Sequence, residues 1–501
     1  MRPTPRFLAA VLALLPAPLL AQSAAERAAR LESIVPAVQV AGRDTTFALA
    51  ERLRARRVPG VSIAIVDSFR VVWARGFGVV ESGSATVVDT GTLFLAGSIS
   101  KPVTASGALA MVERGRLALD EDVNRRLTSW KVPESPFTAT EQVTLRRILS
   151  HSAGLTIWGF PGYARDSAVP TVVQVLDGAR PANTKPVRND TTPGARWMYS
   201  GGGYTIAQLL MTDVAREPFP TLMHRLVLGP VGMRNSTFEQ PLPARLAARA
   251  ATGHERLDTA VAGKWHTYPE MAAAGLWTTA SDLGRWGAAM MRASRGDAGA
   301  GISPTVARWM LTPTSTPQGA GPNGAFGLGL ALEGRGDSLV FSHNGRDEGF
   351  VAMMMMWPSR GQGIVVMTNG TNGAVLEEIV RSFAALYGLP GWSRTTVTAV
   401  AVAPASLDTL VGRYRLPPPP TPAAAAAAGT APRWFTVERR GDALWMVNPV
   451  GLPRRLVPTG PLRFVDLADG VPVAFARGED GGIATLTFGT GPRATVATRE
   501  R

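Results

Sequence analysis

The spacing of apolar and polar residues changes character along the chain, and each change predicts an element. Residues 61–66 and 71–74 are two apolar runs split by a short polar turn, the pattern of a hairpin. Val103, Leu109, Ala110 and Val112 then bury one side of a helix predicted over 102–114. Proline is harmless in its first turn, and Gly115 ends it. From 117 to 155 short helices and loops alternate, ending on a helix and a glycine turn at 145–155. Residues 158–196 form a polar, glycine-rich stretch carrying aromatics, of a length usually tied to binding or to a lid.

An amphipathic helix is expected over 203–214 and a strand over 272–278. Ser281-Asp282 should cap a helix running through Met291. Strands follow at 326–332, 340–343, 351–357 and 363–368, the last two joined by a turn at 358–361. Met353 to Met356 read as flexible core filling on a strand buried on both faces. A helix over 374–387 should pack back on the sheet.

Beyond Pro390 the pattern shifts. Residues 399–405 are a low-complexity spacer, and 417–420 with 423–428 form a biased insert, expected as an exposed loop. Short strands at 434–440, 443–447, 463–467, 471–476 and 483–488, with tight links, predict a small antiparallel domain. It holds neither lysine nor histidine and is assigned no chemistry. At the other end, Arg2 and Arg6 precede an apolar run over 7–20, with Leu19-Leu20-Ala21 before Gln22. That is the form of a removable secretory signal over 1–21, leading to a periplasmic or secreted protein. No later run is long enough to span a membrane after cleavage. The expected organisation is therefore a signal over 1–21, a main domain over 22–393, and a linker with a β domain over 394–501.

Composition refines this only slightly. At 45% hydrophobic and 18% charged, the chain suits a folded protein. Its net charge of +14 comes almost wholly from scattered arginine, without a dense basic run interleaved with aromatics, so no nucleic-acid partner is expected. The absence of cysteine excludes disulfides, thiolate nucleophiles and zinc–cysteine sites.

The candidate chemistry centres on Gly97-Ser98-Ile99-Ser100-Lys101. On a helix, Ser98 and Lys101 share one face, setting an amine beside a hydroxyl that needs a base to act as a nucleophile. Tyr199, in Tyr-Ser-Gly, follows a proline–glycine turn and precedes a helix. His343-Asn344-Gly345 ends a strand, where glycine permits close approach of a substrate backbone. His151 reads as a loop histidine bonded to backbone rather than as a base. A Gly-x-Ser-x-Gly elbow is missing, which closes the common esterase-fold route to a serine nucleophile.

Taken in order, these three motifs resemble the serine β-lactamase and penicillin-binding-protein superfamily, most of all its class C β-lactamase-related branch of esterases, D-aminopeptidases and peptidases. Stretches 58–61, 149–155, 193–194, 229–233 and 274–283 resemble further landmarks of the family, so the likeness covers about 47–387. It implies an α/β (α+β) fold: an antiparallel sheet packed by N- and C-terminal helices beside an all-helical region, with the site between them. It also implies Ser98 as nucleophile, Lys101 as its base, and Tyr199 as a partner in the proton relay. The backbone N–H groups of Ser98 and Arg346 would form the oxyanion hole. His343 completes the catalytic set, and Gly201, Asn344 and Gly345 contact substrate. A lysine kept neutral by desolvation, or a tyrosine held as phenolate by nearby cations, can each take the serine proton.

No cofactor or metal is implied, and the partner is a small ester, amide or peptide; the oligomeric state is left open. Two departures bear on that substrate. Gly201 stands where β-lactamases and transpeptidases usually carry asparagine, and His343 replaces a lysine that would meet a carboxylate. Both favour an esterase, amidase or D-amino-acid-releasing peptidase over an efficient β-lactamase. The competing expectation is a binder or sensor of β-lactams or cell-wall fragments that does not turn over. The C-terminal β domain resembles those appended to some relatives, where it would pack on the catalytic domain or cover its cleft.

Overall fold

The computed structural model describes residues 24–255, 258–392, 394–418, 433–448, 453–491 and 494–500. The expected signal and residues 419–432 of the biased insert lie outside them. The centre is a seven-stranded antiparallel sheet. Its strands in chain order are β1 (Gly60–Asp67), β2 (Arg70–Gly78), β3 (Gly324–Phe326), β4 (Ala331–Glu333), β5 (Val340–Asp347), β6 (Phe350–Trp357) and β7 (Gln362–Thr368). They lie in the order β2-β1-β7-β6-β5-β4-β3.

Helices cover both faces, so the central strands are apolar on both sides. On β1, Val61, Ile63 and Ile65 join the core shared with α1 (Leu49–Arg56) and the C-terminal helix Ala374–Tyr387. Ala64 and Val66 face the opposite core with the helical region. The methionine run of β6 divides the same way: Met354 and Met356 enter one core, Met353 and Met355 the other.

The helical region is built around α2 (Ser100–Glu113) and α3 (Gly201–Ala215). The amphipathic pattern expected for α3 is not what forms. Every residue from Gly201 to Met211 is buried, because the helix passes through the middle of the region rather than along its surface. The strand expected at 272–278 is mostly a helical turn, α4 (Met271–Ala274), and only Trp277–Thr278 pairs, with Phe94–Leu95. Alanines favour the turn, and Gln208 clamps it, accepting from the Ala272 N–H and donating to the Pro269 carbonyl. The next helix, α5 (Ala280–Ser294), is capped by Thr279, not by Ser281-Asp282. Asp282 instead accepts from the Asn235 N–H and the Ser236 hydroxyl.

The C-terminal strands close into an eight-stranded barrel: β8 (Gly412–Arg415), β9 (Trp434–Arg440), β10 (Ala443–Val447), β11 (Arg454–Gly460), β12 (Arg463–Asp466), β13 (Pro472–Arg477), β14 (Ile483–Phe488) and β15 (Thr495–Arg499). Strands β8, β11 and β15 were not anticipated, because arginines and turn residues hide their short alternation. β8 closes the barrel by pairing with both β9 and β15. Tyr414, Phe435, Leu444, Phe464, Phe475 and Leu486 belong to its own core cluster.

Buried ion pairs tie the barrel to the N- and C-terminal helices. Glu378, almost wholly buried, accepts from Arg52 and Arg56, and Arg56 reaches on to Asp469 of the barrel. Among the described residues, no barrel residue lines the cleft treated next. The described part of the barrel packs against the main domain through these pairs.

Candidate active site

The site forms where the chain entering α2 crosses the open edge of β5. Strand β4 pairs only with Val340–Ser342, so Asn344 to Arg346 have a strand neighbour on one side alone. Ser98 sits on a 3-10 turn, Gly97–Ile99, just before α2 rather than inside it. Two glycines allow the crossing. Gly97 has φ +52°, and a Cβ there would lie 2.4 Å from the Arg346 backbone N. A Cβ on Gly345 would lie 1.9 Å from the Ala96 carbonyl. Gly345 thus makes room for the chain that carries Ser98, a different reason from the substrate approach expected of it. Ser100 locks the turn from beneath: its hydroxyl donates to the Gly97 carbonyl at 2.6 Å and accepts from the Leu276 N–H at 3.0 Å. Sequence reasoning passed over that serine.

Lys101 is 1% exposed. Its Nζ donates to Ser98 Oγ at 2.9 Å and to the Ala273 carbonyl at 2.8 Å. Burial lowers it to about 7, with Asp347 acting in the opposite direction. The Tyr199 hydroxyl is hydrogen-bonded to Ser98, and burial holds the phenol well above its ordinary value, so it stays protonated at neutral pH. Burial thus brings the Lys101 amine within reach of its free-base form near neutral pH, while it keeps the Tyr199 phenol protonated.

His151 behaves as a backbone-bonded loop histidine. It has φ +57°, its Nδ1 accepts from the Ser200 N–H at 3.1 Å, and its carbonyl accepts from the Met198 N–H at 2.6 Å. Its ring packs against Tyr199 with centroids 4.1 Å apart, so it supports Tyr199 from behind. His343 donates from Nδ1 to the Asn344 carbonyl at 2.7 Å, and burial drives it down to about 3. It lines the cleft as a neutral imidazole, not as a cation.

The structure brings Ser98, Lys101, Tyr199, His343, Asn344, Gly345 and Arg346 to one cleft of about 830 Å³. Gly201 is not on its wall. It is buried at the start of α3, where a Cβ would meet Phe160 at 3.0 Å and the Trp158 carbonyl at 3.2 Å. Three groups of lining residues were not foreseen. Asp347, 5% exposed, follows Arg346 and is pushed well above the carboxylate range by burial. Glu348 and Glu255 hydrogen-bond to each other, which with burial raises Glu348. Trp158, Phe160, Trp197 and Phe326 supply an aromatic wall. Asp347 and Glu348 could have been sought just after His-Asn-Gly, but Glu255 and the aromatics converge only through the tertiary fold. Among the described residues no cluster of histidine and carboxylate side chains could hold a metal ion.

Residues 47–389 match the beta-lactamase family. The unguisins hydrolase ungD of Aspergillus violaceofuscus is 25% identical over 358 residues, 64% of this chain and 60% of its own length. Esterase EstB of Burkholderia gladioli is 26% identical over 204 residues, 39% of this chain and 51% of its own. The chain thus spans between half and three-fifths of the length of these relatives. The octameric penicillin-binding protein homologue from Pyrococcus abyssi superposes with a TM-score of 0.59 at 22% identity, covering 89% of this chain and 98% of that one, a likeness of fold. A match that starts just before α1, ends just after Ala374–Tyr387, and so takes in the sheet, the helical region and the whole cleft makes this chain a member of the beta-lactamase family.

Proposed function

We propose that this protein is an exported serine hydrolase that cleaves an ester or amide through an acyl-enzyme on Ser98. One observation carries the reading: a buried Lys101 amine, lowered to about 7, lies 2.9 Å from Ser98 Oγ. In that reading neutral Lys101 takes the Ser98 proton as Oγ bonds to the substrate carbonyl carbon. The negative oxygen that develops is met by the backbone N–H groups of Ser98 and Arg346, whose strand Gly97 and Gly345 hold against the turn. Tyr199, a protonated phenol bonded to Ser98, passes a proton to the leaving oxygen or nitrogen as that bond breaks. The Lys101 ammonium returns its proton to the Tyr199 phenolate, which restores the neutral amine. Water then attacks the ester on Ser98 with Lys101 accepting its proton, and that proton passes to Ser98 Oγ as its bond to the acyl carbon breaks and the acid leaves. The names of two relatives, a hydrolase and an esterase, support the reaction class.

The walls favour uncharged acyl groups over the carboxylate of a β-lactam. His343 is neutral where a lysine would attract that carboxylate, and Glu255 and Glu348 lie on the same cleft, with Arg346 the permanent cation among its lining residues. Export rests on the leader over 1–21; among the described residues no helix is long and apolar enough to cross a membrane.

A fluorophosphonate probe and a labelled penicillin, with the adduct mapped by peptide mass spectrometry, test the reading. The expected adduct is on Ser98, with an aryl ester turned over faster than a D-alanyl amide or a chromogenic cephalosporin. Absence of any Ser98 adduct overturns the hydrolase. A stoichiometric adduct without turnover points instead to a binder.

A further inference from the structure

Trp158 is 71% exposed, more than any other large apolar side chain among the described residues, and it stands on the cleft. An aromatic ring left in water forgoes the burial that ordinarily places it, so something other than core packing holds it there. The backbone beside it is strained as well. Ile157 has φ +62°, a conformation that β-branched residues rarely adopt, and strain of this kind gathers at ligand sites. The turn sends Ile157 toward the helical core and leaves Trp158 at the cleft mouth.

The same segment is pinned to the helix that follows Tyr199. Three consecutive carbonyls, of Thr156, Ile157 and Trp158, accept in turn from the Ser200 hydroxyl at 2.8 Å, the Gly202 N–H at 3.1 Å and the Gly201 N–H at 3.2 Å. The glycines are needed for this approach. A Cβ on Gly202 would lie 2.8 Å from the Thr156 carbonyl, and one on Gly201 would press on Phe160 and the Trp158 carbonyl. The space where a side chain at 201 would begin is therefore taken by Phe160 and the Trp158 carbonyl. Its ring lies 5.5 Å from that of Tyr199, and Tyr199 is 6.1 Å from Trp197. The result is a fixed aromatic surface beside the group that relays the proton.

We propose that Trp158, with Phe160 and Trp197, forms a subsite that stacks a flat aromatic ring of the substrate, so that esters or amides bearing an aryl group are preferred. The proposal rests on acyl transfer at Ser98. Boronic acids, whose boron accepts a bond from a serine Oγ, separate the two ideas. Inhibition by phenylboronic and methylboronic acid is measured against hydrolysis of an aliphatic acetate followed by acid release, in the full chain and in Trp158→Ala and Trp158→Phe.

The ratio of the two inhibition constants, compared between variants, cancels the intrinsic difference in boron acidity. The methylboronic-to-phenylboronic ratio of inhibition constants is expected to fall about tenfold in Trp158→Ala and to be kept in Trp158→Phe. An unchanged ratio in Trp158→Ala, or equal weakening of both inhibitors, overturns the subsite while leaving Ser98 chemistry intact. If neither boronic acid inhibits the wild type, the subsite falls, while the acyl-enzyme stands or falls with the Ser98 adduct.

Discussion

Replacing Lys101 by methionine is expected to slow acylation of Ser98 by about 10²–10⁴-fold, the range set by loss of a positioned general base. Methionine keeps an unbranched, uncharged side chain at this buried position, so the comparison isolates the amine. In the wild type that amine is bonded both to Ser98 Oγ and to the Ala273 carbonyl, and it is 1% exposed. Desolvation brings it to about 7, with the Asp347 carboxyl opposing. The sign of the pH dependence follows. Below about pH 7 Lys101 is an ammonium and cannot accept the serine proton; above it the amine is free. The acylation rate should therefore rise with pH through about 7 and level off, as read from single-turnover labelling of Ser98 across pH 5–9. His343, already neutral above about pH 3, adds no step in that window. A profile that falls with pH between 6 and 8, or a methionine variant that labels at the wild-type rate, removes Lys101 from the role of base.

Much of this site was legible because its parts are local. Ser98 and Lys101 are one helical turn apart, and their meeting needs no knowledge of the fold. The strands Gly60–Asp67 and Phe350–Trp357 and the helix Ala374–Tyr387 were likewise visible, the strands as continuous apolar runs and the helix by its periodicity. What escaped depends on chain segments distant in sequence. In the proposed chemistry, the choice between lysine and tyrosine as base turns on burial. Gly345 was read as an opening for substrate, because its true neighbour, Ala96, lies about 250 residues away along the chain. Helix Gly201–Ala215 looked amphipathic until its surroundings were known. The closing strands Gly412–Arg415 and Thr495–Arg499 are too short and too rich in arginine to announce themselves. Trp158 reads as one aromatic in a long polar stretch until Gly201 and Gly202 are seen to hold its backbone.

Gly345→Ala is expected to lower kcat/KM by about 10²–10³-fold in a protein that remains folded, by taking away one donor of the oxyanion pair. The added methyl would lie 1.9 Å from the Ala96 carbonyl, a backbone atom fixed by the turn that carries Ser98. No rotamer relieves a Cβ clash, so the strand and the turn must separate. Ala96 resists, because its N–H is bonded to the Leu276 carbonyl at 2.9 Å, and Ser100 ties Gly97 to the Leu276 N–H. The strand yields more readily, since Asn344 to Arg346 lack a neighbour on their outer edge. Moving that edge carries the Arg346 N–H away from Ser98 while leaving Lys101, bonded to Ala273, where it was. The two substitutions therefore separate the halves of the chemistry. Lys101→Met should abolish the rise of rate with pH, whereas Gly345→Ala should keep a midpoint near 7 at a rate lowered throughout. Over-packing of this kind typically costs about 1–3 kcal/mol, so a reduced but cooperative thermal transition is expected alongside. Wild-type kcat/KM in Gly345→Ala, with an unshifted melting temperature, would show that the edge of the sheet and the serine turn do not meet as described.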